Sequence, residues 1–115
     1  MSDKRTIFKK IIDGDVPADI VYQDNLCLAF RDVAPQAPVH LLVIPRKEIQ
    51  SLAHLQPEDQ ALMGHMMLVI QRLASEHGLE NGFRVVTNCG REGGQSVDHL
   101  HFHLLGRRPL KWPPG

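Results

Sequence analysis

The segment His99-Leu100-His101-Phe102-His103-Leu104-Leu105 places three histidines at every second position, between large apolar residues. Successive side chains of a β-strand point to opposite faces, so this spacing predicts a strand over 99–105 with the histidines on one face, about 7 Å apart at each step. The apolar side chains then face a core. Because an imidazole changes its charge near neutral pH, the histidine face is the candidate for chemistry.

Two other interpretations of this strand stay open from the spacing alone. The histidines could be the solvated face of an amphipathic strand, although such faces normally carry Thr, Lys, Glu or Gln. Alternatively, two histidines at i and i+2 of a strand can both reach one zinc ion, with a third ligand from elsewhere in the chain.

A glycine-rich stretch leads directly into the histidine strand. Gly90, Gly93 and Gly94 lie within residues 89–98. Such a stretch is by itself usually only a turn. Its backbone N–H groups can also form an anion-binding concavity, however, and Gln95 and Ser96 add side-chain donors. Next to three imidazoles, this favours phosphorus chemistry over a metal cation.

The histidine strand is similar to the His-x-His-x-His-x-x signature, with x apolar, of the histidine triad superfamily of nucleotide hydrolases and transferases. Four further segments resemble its nucleotide-binding (Hint) branch: Thr-Ile-Phe-Lys-Lys-Ile-Ile at 6–12, Pro-Gln-Ala-Pro-Val-His-Leu-Leu-Val-Ile-Pro at 35–45, Gly-Gly-Gln-Ser-Val at 93–97 and Trp-Pro-Pro-Gly at 112–115. The resemblance runs in order from residue 6 to residue 115. It implies a five-stranded antiparallel sheet that pairs across a twofold axis, so that a homodimer has one continuous ten-stranded sheet.

Length and charge set bounds on the protein class. The 115 residues predict a single domain over 1–115. Its 13 basic and 13 acidic residues cancel, so we expect no general attraction to nucleic acid or to a membrane. No run has the length of a transmembrane helix and no secretory signal opens the chain, which predicts a cytoplasmic protein. Cys27 and Cys89 are predicted to be reduced packing residues.

Hydrophobic periodicity predicts an α+β domain with an antiparallel sheet. The predicted helices cover 7–12 and 57–77, and the predicted strands cover 20–22, 27–30, 39–44, 83–87 and 99–105. Thr6 is the expected cap of the first helix. The apolar stripe of the second helix, which includes Met63, Met66 and Met67, is assigned to the core. The third strand is apolar on both faces except for His40, which predicts a central strand covered on both sides.

The resemblance implies a role for each residue of the triad. His101 is the nucleophile, and the backbone carbonyl of His99 holds its second ring nitrogen. His103 and Ser96 contact the phosphate and the leaving group, and His40 organises the triad. Without the resemblance, His40 would be interpreted as a core histidine with satisfied hydrogen bonds. Three histidines without such neighbours are predicted to be solvated: His54, His65 and His77.

The resemblance also implies a nucleotide site that needs no metal ion or cofactor. Asp32 accepts the ribose hydroxyls, and an apolar slot holds the base. The implied nucleotide-binding residues are Phe8, Ile11, Phe30, Arg31, Asp32, Val33, Leu42, Asn88, Gly94, Gln95, Ser96, His101 and His103. For Phe30 and Leu42, core packing is an equal alternative. Asp98 and Glu48 stand where relatives commonly carry Tyr and His, which affects the expected leaving-group preference and not the reaction class.

The implied reaction is hydrolysis of the P–N bond of purine nucleoside phosphoramidates, such as AMP amides or aminoacyl-adenylate-like substrates, through a nucleotidyl-histidine on His101. One alternative is a dinucleoside polyphosphate hydrolase, and another is a nucleotide-binding regulatory or scaffold protein with incidental hydrolysis. From the residues alone, the tail over 110–115 would be disordered. The resemblance instead implies that Trp112 docks near the dimer interface and borders the active site of the other protomer.

Overall fold

The computed structural model describes residues 2–115 and has the predicted α+β architecture. The helices are α1 (Ile7–Ile12) and α2 (Gln60–Glu76), and the strands are β1 (Ile20–Gln23), β2 (Cys27–Arg31), β3 (Val39–Pro45), β4 (Phe83–Val86) and β5 (Phe102–Gly106). Two short 3-10 turns, Leu52–His54 and Pro57–Asp59, precede α2. Within the described residues, no helix combines the length and apolar character that crossing a membrane requires.

Local signals place both ends of α1 where the sequence predicts them. The hydroxyl of Thr6 accepts a hydrogen bond from the backbone N–H of Lys9 at 3.1 Å, which satisfies a donor that the first turn leaves free. Gly14 follows the helix with a φ of +79°, a conformation that glycine adopts without a steric penalty. The six-residue α1 therefore begins and ends on sequence-encoded caps.

The five strands form one antiparallel sheet in the order β1-β2-β3-β5-β4. The central strand, β3, pairs with β5 so that Leu42 lies opposite His103 and His40 lies opposite Leu105. Because directly opposed residues share a face, and residues two apart on one strand share it too, His40 and His103 lie on the same face of the sheet. The topology thus brings a histidine from β3 next to the last histidine of the triad.

Both faces of the sheet are covered, which explains why β3 is buried along its whole length. One face packs on α2, in a cluster that includes Leu41, Leu104 and Met66. The other packs on α1 in a smaller cluster around Phe8 and Leu42. The prediction that the whole methionine stripe of α2 is core is wrong in one place, since Met67 is exposed.

The histidine segment differs from the prediction in its first three residues. Regular pairing begins only at Phe102, because the N–H of Leu100 donates to the carbonyl of Ile49 at 2.7 Å and not to a neighbouring strand of the sheet. The alternation of faces nevertheless continues: Leu100 lies in the α2 cluster, while His101 contacts Phe8 of α1. His99 and His101 are only 1% and 3% exposed, which excludes the interpretation of the histidines as a solvated face.

Candidate active site

The three histidine rings form a row beneath α1. Phe8 meets His101 edge to face, with ring centroids 4.9 Å apart, and the same side chain lies 6.3 Å from His99. The rings of His101 and His103 are 5.2 Å apart. His103 is partly exposed, whereas the other two are buried. The row therefore has one closed end, at His99, and one open end, at His103.

His101 is held in one tautomer by the backbone. Its Nδ1 lies 2.7 Å from the carbonyl oxygen of His99. Since a carbonyl can only accept, Nδ1 carries a proton, and the neutral form of the ring has its lone pair on Nε2. Nε2 is thus the ring nitrogen left for chemistry on His101, and its orientation is fixed by the hydrogen bond on the opposite side of the ring.

The ring of His99 is buried and hydrogen-bonded to the backbone. It is fully buried, and its Nε2 donates to the carbonyl of Pro45 at 2.8 Å. Burial lowers the pKa of His99, although the Pro45 hydrogen bond opposes this, so the ring is neutral at pH 7. The part of His99 that faces His101 is its backbone carbonyl, as the resemblance implies.

His40 and His103 form a hydrogen-bonded pair. The Nε2 of His40 lies 2.8 Å from the Nδ1 of His103, and the backbone N–H of Gln36 donates to the Nδ1 of His40 at 3.0 Å. Burial is the main cause that lowers the pKa of His103, to about 4, and the neighbouring His101 and His40 lower it further. Burial also lowers the pKa of His40, against the charge of Asp32. Both rings are therefore neutral at pH 7.

Asp32 lies beside this pair at the end of β2. One carboxylate oxygen, Oδ1, accepts from the N–H of Ala34 at 2.8 Å, and the other, Oδ2, is 3.4 Å from the Nε2 of His40. The side chain is 18% exposed. The predicted ribose-binding acid is therefore also a neighbour of the histidine pair.

The residues predicted to form the base slot do not all lie together. Phe8, Ile11, Phe30 and Leu42 lie together in the α1 cluster and are all buried. Val33 is 99% exposed and lies outside that cluster. Arg31 is exposed and forms an ion pair with Asp19.

The glycine-rich loop after β4 is closed by its own side chains. Asn88 donates to the carbonyl of Gly94 at 3.3 Å, and Gly94 has a φ of +78°. The side-chain oxygen of Gln95 accepts from the N–H of Gly90, while its side-chain nitrogen donates to the carbonyls of Gln50 and Val97. Gln95 therefore fixes the loop with its whole amide group. Ser96, the next residue, is exposed.

Three backbone and side-chain groups near the triad carry no sequence signal that would have identified them. These are the N–H of Gln36, the carbonyl of Pro45 and the hydroxyl of Thr87, which donates to the carbonyl of His101 at 2.8 Å. Two of them are main-chain atoms, so the residue type says nothing about their role. Thr87 is the last residue of the predicted strand over 83–87, and threonine is common in strands without any function.

Among residues 2–115, two clusters offer ligand atoms close enough together for a metal ion: Asp32, His40 and His103, and Asp24, Cys27 and His65. In the first, Nε2 of His40 forms a hydrogen bond with Nδ1 of His103 at 2.8 Å. In the second, the carboxylate of Asp24 accepts from Tyr22 and faces the Nε2 of His65 at 2.6 Å. The geometry of both is that of a hydrogen-bonded network. Of the three histidines predicted to be solvated, His54 is exposed, His65 is partly exposed and contacts Asp24, and His77 is partly exposed with its Nδ1 on the carbonyl of Leu73.

Comparison with known protein families identifies the family to which this chain belongs. The HIT domain family matches residues 13–110. The chain belongs to the HIT domain family. Over 110 residues, this HIT protein is 60% identical to an uncharacterized HIT-like protein of Synechococcus elongatus, a match that covers 96% of each chain.

Solved structures of HIT proteins share the fold. The HIT family hydrolase of Legionella pneumophila superposes with a TM-score of 0.95 at 45% identity, covering 96% of this chain and 100% of that one. The histidine triad nucleotide-binding protein of Candida albicans superposes with a TM-score of 0.84 at 28% identity, covering 95% and 83%.

Proposed function

We propose that this HIT protein hydrolyses the P–N bond of purine nucleoside phosphoramidates through a nucleotidyl intermediate on His101, as its resemblance to the Hint branch implies. The observation that carries the proposal is the 2.7 Å contact between Nδ1 of His101 and the His99 carbonyl, because it leaves a lone pair on Nε2. The names of the Legionella and Candida structures, a hydrolase and a nucleotide-binding protein, support the same class of activity.

In the first step, Nε2 of His101 forms a bond to phosphorus while the bond from phosphorus to the amine nitrogen breaks. Nδ1 keeps its proton and its hydrogen bond to the His99 carbonyl. The carbonyl oxygen stabilises the positive charge that the substituted ring acquires. The amine takes up a proton as it leaves, and we assign Ser96 and His103 to that side of the site. Water then attacks phosphorus, the P–Nε2 bond breaks, and a nucleoside monophosphate, a proton and neutral His101 remain.

The nucleoside is proposed to bind between the α1 cluster and the end of β2. Phe8 and Ile11 bring apolar surface to the base, and Phe30 and Leu42 pack in the same cluster. Asp32 presents Oδ2 to the ribose hydroxyls, and Arg31 and Val33 lie exposed on either side of it in the chain. Asn88, Gly94, Gln95 and Ser96 shape the phosphate side. Within this proposal, residues 1–115 act as one domain, and a cytoplasmic location stays a prediction.

Hydrolysis should not depend on a metal ion, since a neutral imidazole attacks phosphorus without one. We expect protein dialysed exhaustively against EDTA to retain its full turnover of an AMP amide. The assay compares dialysed protein with protein to which zinc has been added back. Activity that disappears on dialysis and returns stoichiometrically with zinc would contradict this expectation and favour the metal interpretation.

We propose that two copies of the chain pair along β4. This strand is an edge of the sheet, and its Phe83 and Val85 are exposed apolar side chains, a combination that favours pairing with another strand. The expected particle in light scattering has twice the 12.9 kDa mass of the chain. Val85→Lys places a charge on this edge and should produce a monomer. A wild-type monomer at micromolar concentration would contradict the pairing.

The C-terminal tail is anchored as far as Lys111, because the Arg84 guanidinium donates to the carbonyls of Leu110 and Lys111. Trp112 beyond it is 82% exposed. If Trp112 borders the partner's active site, removal of residues 111–115 should change the order of preference among several AMP amides and leave the affinity for AMP nearly unchanged. Trp112→Ala, which keeps the backbone, is the control. If the truncation changes the turnover of all the amides by the same factor, the tail does not determine specificity.

A further inference from the structure

The main chain of Gln36 links two side chains that are far apart in the sequence, His40 and Arg108. Its N–H donates to Nδ1 of His40 at 3.0 Å, and its carbonyl accepts from Nε of Arg108 at 2.9 Å. Arg108 follows β5 by two residues, and its Nη1 also donates to the carbonyl of Pro109. The side chain of Gln36 donates to the carbonyl of Ala34, which closes the same loop. Arg108 is thus the contact from the C-terminal segment to the loop before β3.

Two proton arrangements compete in the His40–His103 pair. Either Nε2 of His40 donates to Nδ1 of His103, or Nδ1 of His103 donates to Nε2 of His40. In the first, the remaining proton of His103 is on Nε2, where it can donate to a phosphoryl oxygen. In the second, Nε2 of His103 has a lone pair, which repels the phosphoryl oxygen. The two arrangements differ only in which ring nitrogens carry hydrogen.

The N–H of Gln36 selects the first arrangement, because a donor that points at Nδ1 of His40 requires a lone pair there. The proton of neutral His40 then lies on Nε2. The charged and titratable groups that face His40 are Asp32, whose Oδ2 is 3.4 Å from Nε2, and His103, with His101 behind it. Asp32 favours a proton on the same nitrogen, so it supports the selection but also attracts a second proton to the ring.

We propose that Arg108 is a positioning residue: by holding the Gln36 carbonyl, it keeps the Gln36 N–H on Nδ1 of His40 and so directs the N–H of His103 toward the phosphoryl group. Arg108 is exposed and acts through the main chain of Gln36, whose carbonyl and N–H lie on either side of one Cα, and not through contact with substrate. The kinetic part of this inference rests on the proposed phosphoramidate hydrolysis; the tautomer part does not.

The test uses two neutral replacements of similar length. Arg108→Gln keeps an N–H donor the same number of bonds from the backbone as Nε, whereas Arg108→Met has no donor. Long-range ¹H–¹⁵N spectra of the full-length protein at pH 8 report the tautomer of each histidine. We expect Nε2–H tautomers for His40 and His103 in the wild type and in Arg108→Gln, and mixed tautomers in Arg108→Met. The kcat/KM for an AMP amide should fall roughly five- to tenfold in Arg108→Met alone, the effect of one lost hydrogen bond.

Unchanged His40 and His103 signals in Arg108→Met would overturn the proposal, whatever the activity. Equal losses of kcat/KM in Arg108→Gln and Arg108→Met would overturn the proposal as well. Such losses would point to the charge of Arg108 and not to its hydrogen bond. If the wild type does not hydrolyse AMP amides, the proposed function fails, but the spectra still decide the tautomer assignment.

Discussion

Replacing His101 with alanine should reduce hydrolysis of an AMP amide by several orders of magnitude while AMP still binds. The reason is that the variant loses the only atom placed to form the covalent bond, Nε2, whereas Phe8, Asp32 and the glycine-rich loop remain. Single-turnover kinetics and calorimetric titration with AMP measure the two quantities separately. Near-native turnover would exclude His101 as the nucleophile.

The structure offers controls for this experiment. His101 is 3% exposed, so alanine also leaves a cavity; His101→Asn keeps a side-chain N–H that can donate to the His99 carbonyl but has no nucleophilic nitrogen. His77 has the same kind of contact, with Nδ1 2.8 Å from the carbonyl of Leu73, and His77→Ala should retain activity. A scaffold function, in contrast to an enzymatic one, should survive His101→Asn.

Replacing Asp32 should weaken ribonucleotides far more than 2′,3′-dideoxy analogues. The expected loss is about 1.5–3 kcal/mol, roughly 10- to 150-fold in Kd, which is the range for hydrogen bonds to a charged acceptor. Because Oδ1 of Asp32 also accepts from Ala34, alanine would loosen the loop that follows. Asp32→Asn keeps an oxygen for Ala34 and removes the charge, so it is the sharper variant.

The matched control for Asp32 is Asp19→Asn, which removes an equal charge from the ion pair with the neighbouring Arg31. Its affinity for both classes of nucleotide should stay close to that of the wild type. If Asp32→Asn weakens ribonucleotides and dideoxynucleotides equally, Asp32 does not bind the ribose, and its role is confined to the loop and to His40.

The parts of the fold that the sequence predicts are those in which a side chain acts locally. Thr6 caps α1 by its own hydroxyl, and β3 is buried on both sides as its apolar run predicts. The alternation of residues 99–105 correctly separates the histidine face from the core face. It does not locate the start of β5, because that depends on the Leu100 N–H, which bonds to Ile49 from a distant segment.

In the candidate site, too, some features follow from local side chains and others depend on distant backbone groups. Histidine spacing is enough to place His99, His101 and His103 in one row, and the sheet register then adds His40. The proton positions are set by carbonyl and N–H groups of His99, Pro45 and Gln36, which every residue type possesses. Periodicity alone also failed for Met67, since helical spacing does not say how wide the buried stripe is.

The stereochemical course at phosphorus tests the covalent mechanism most directly. An AMP amide with a chiral phosphorothioate centre, hydrolysed in ¹⁸O-labelled water, reports the number of in-line displacements. Two displacements, first by Nε2 of His101 and then by water, predict retention of configuration. Inversion would mean that water attacks the substrate directly, and it would contradict a nucleotidyl-histidine intermediate.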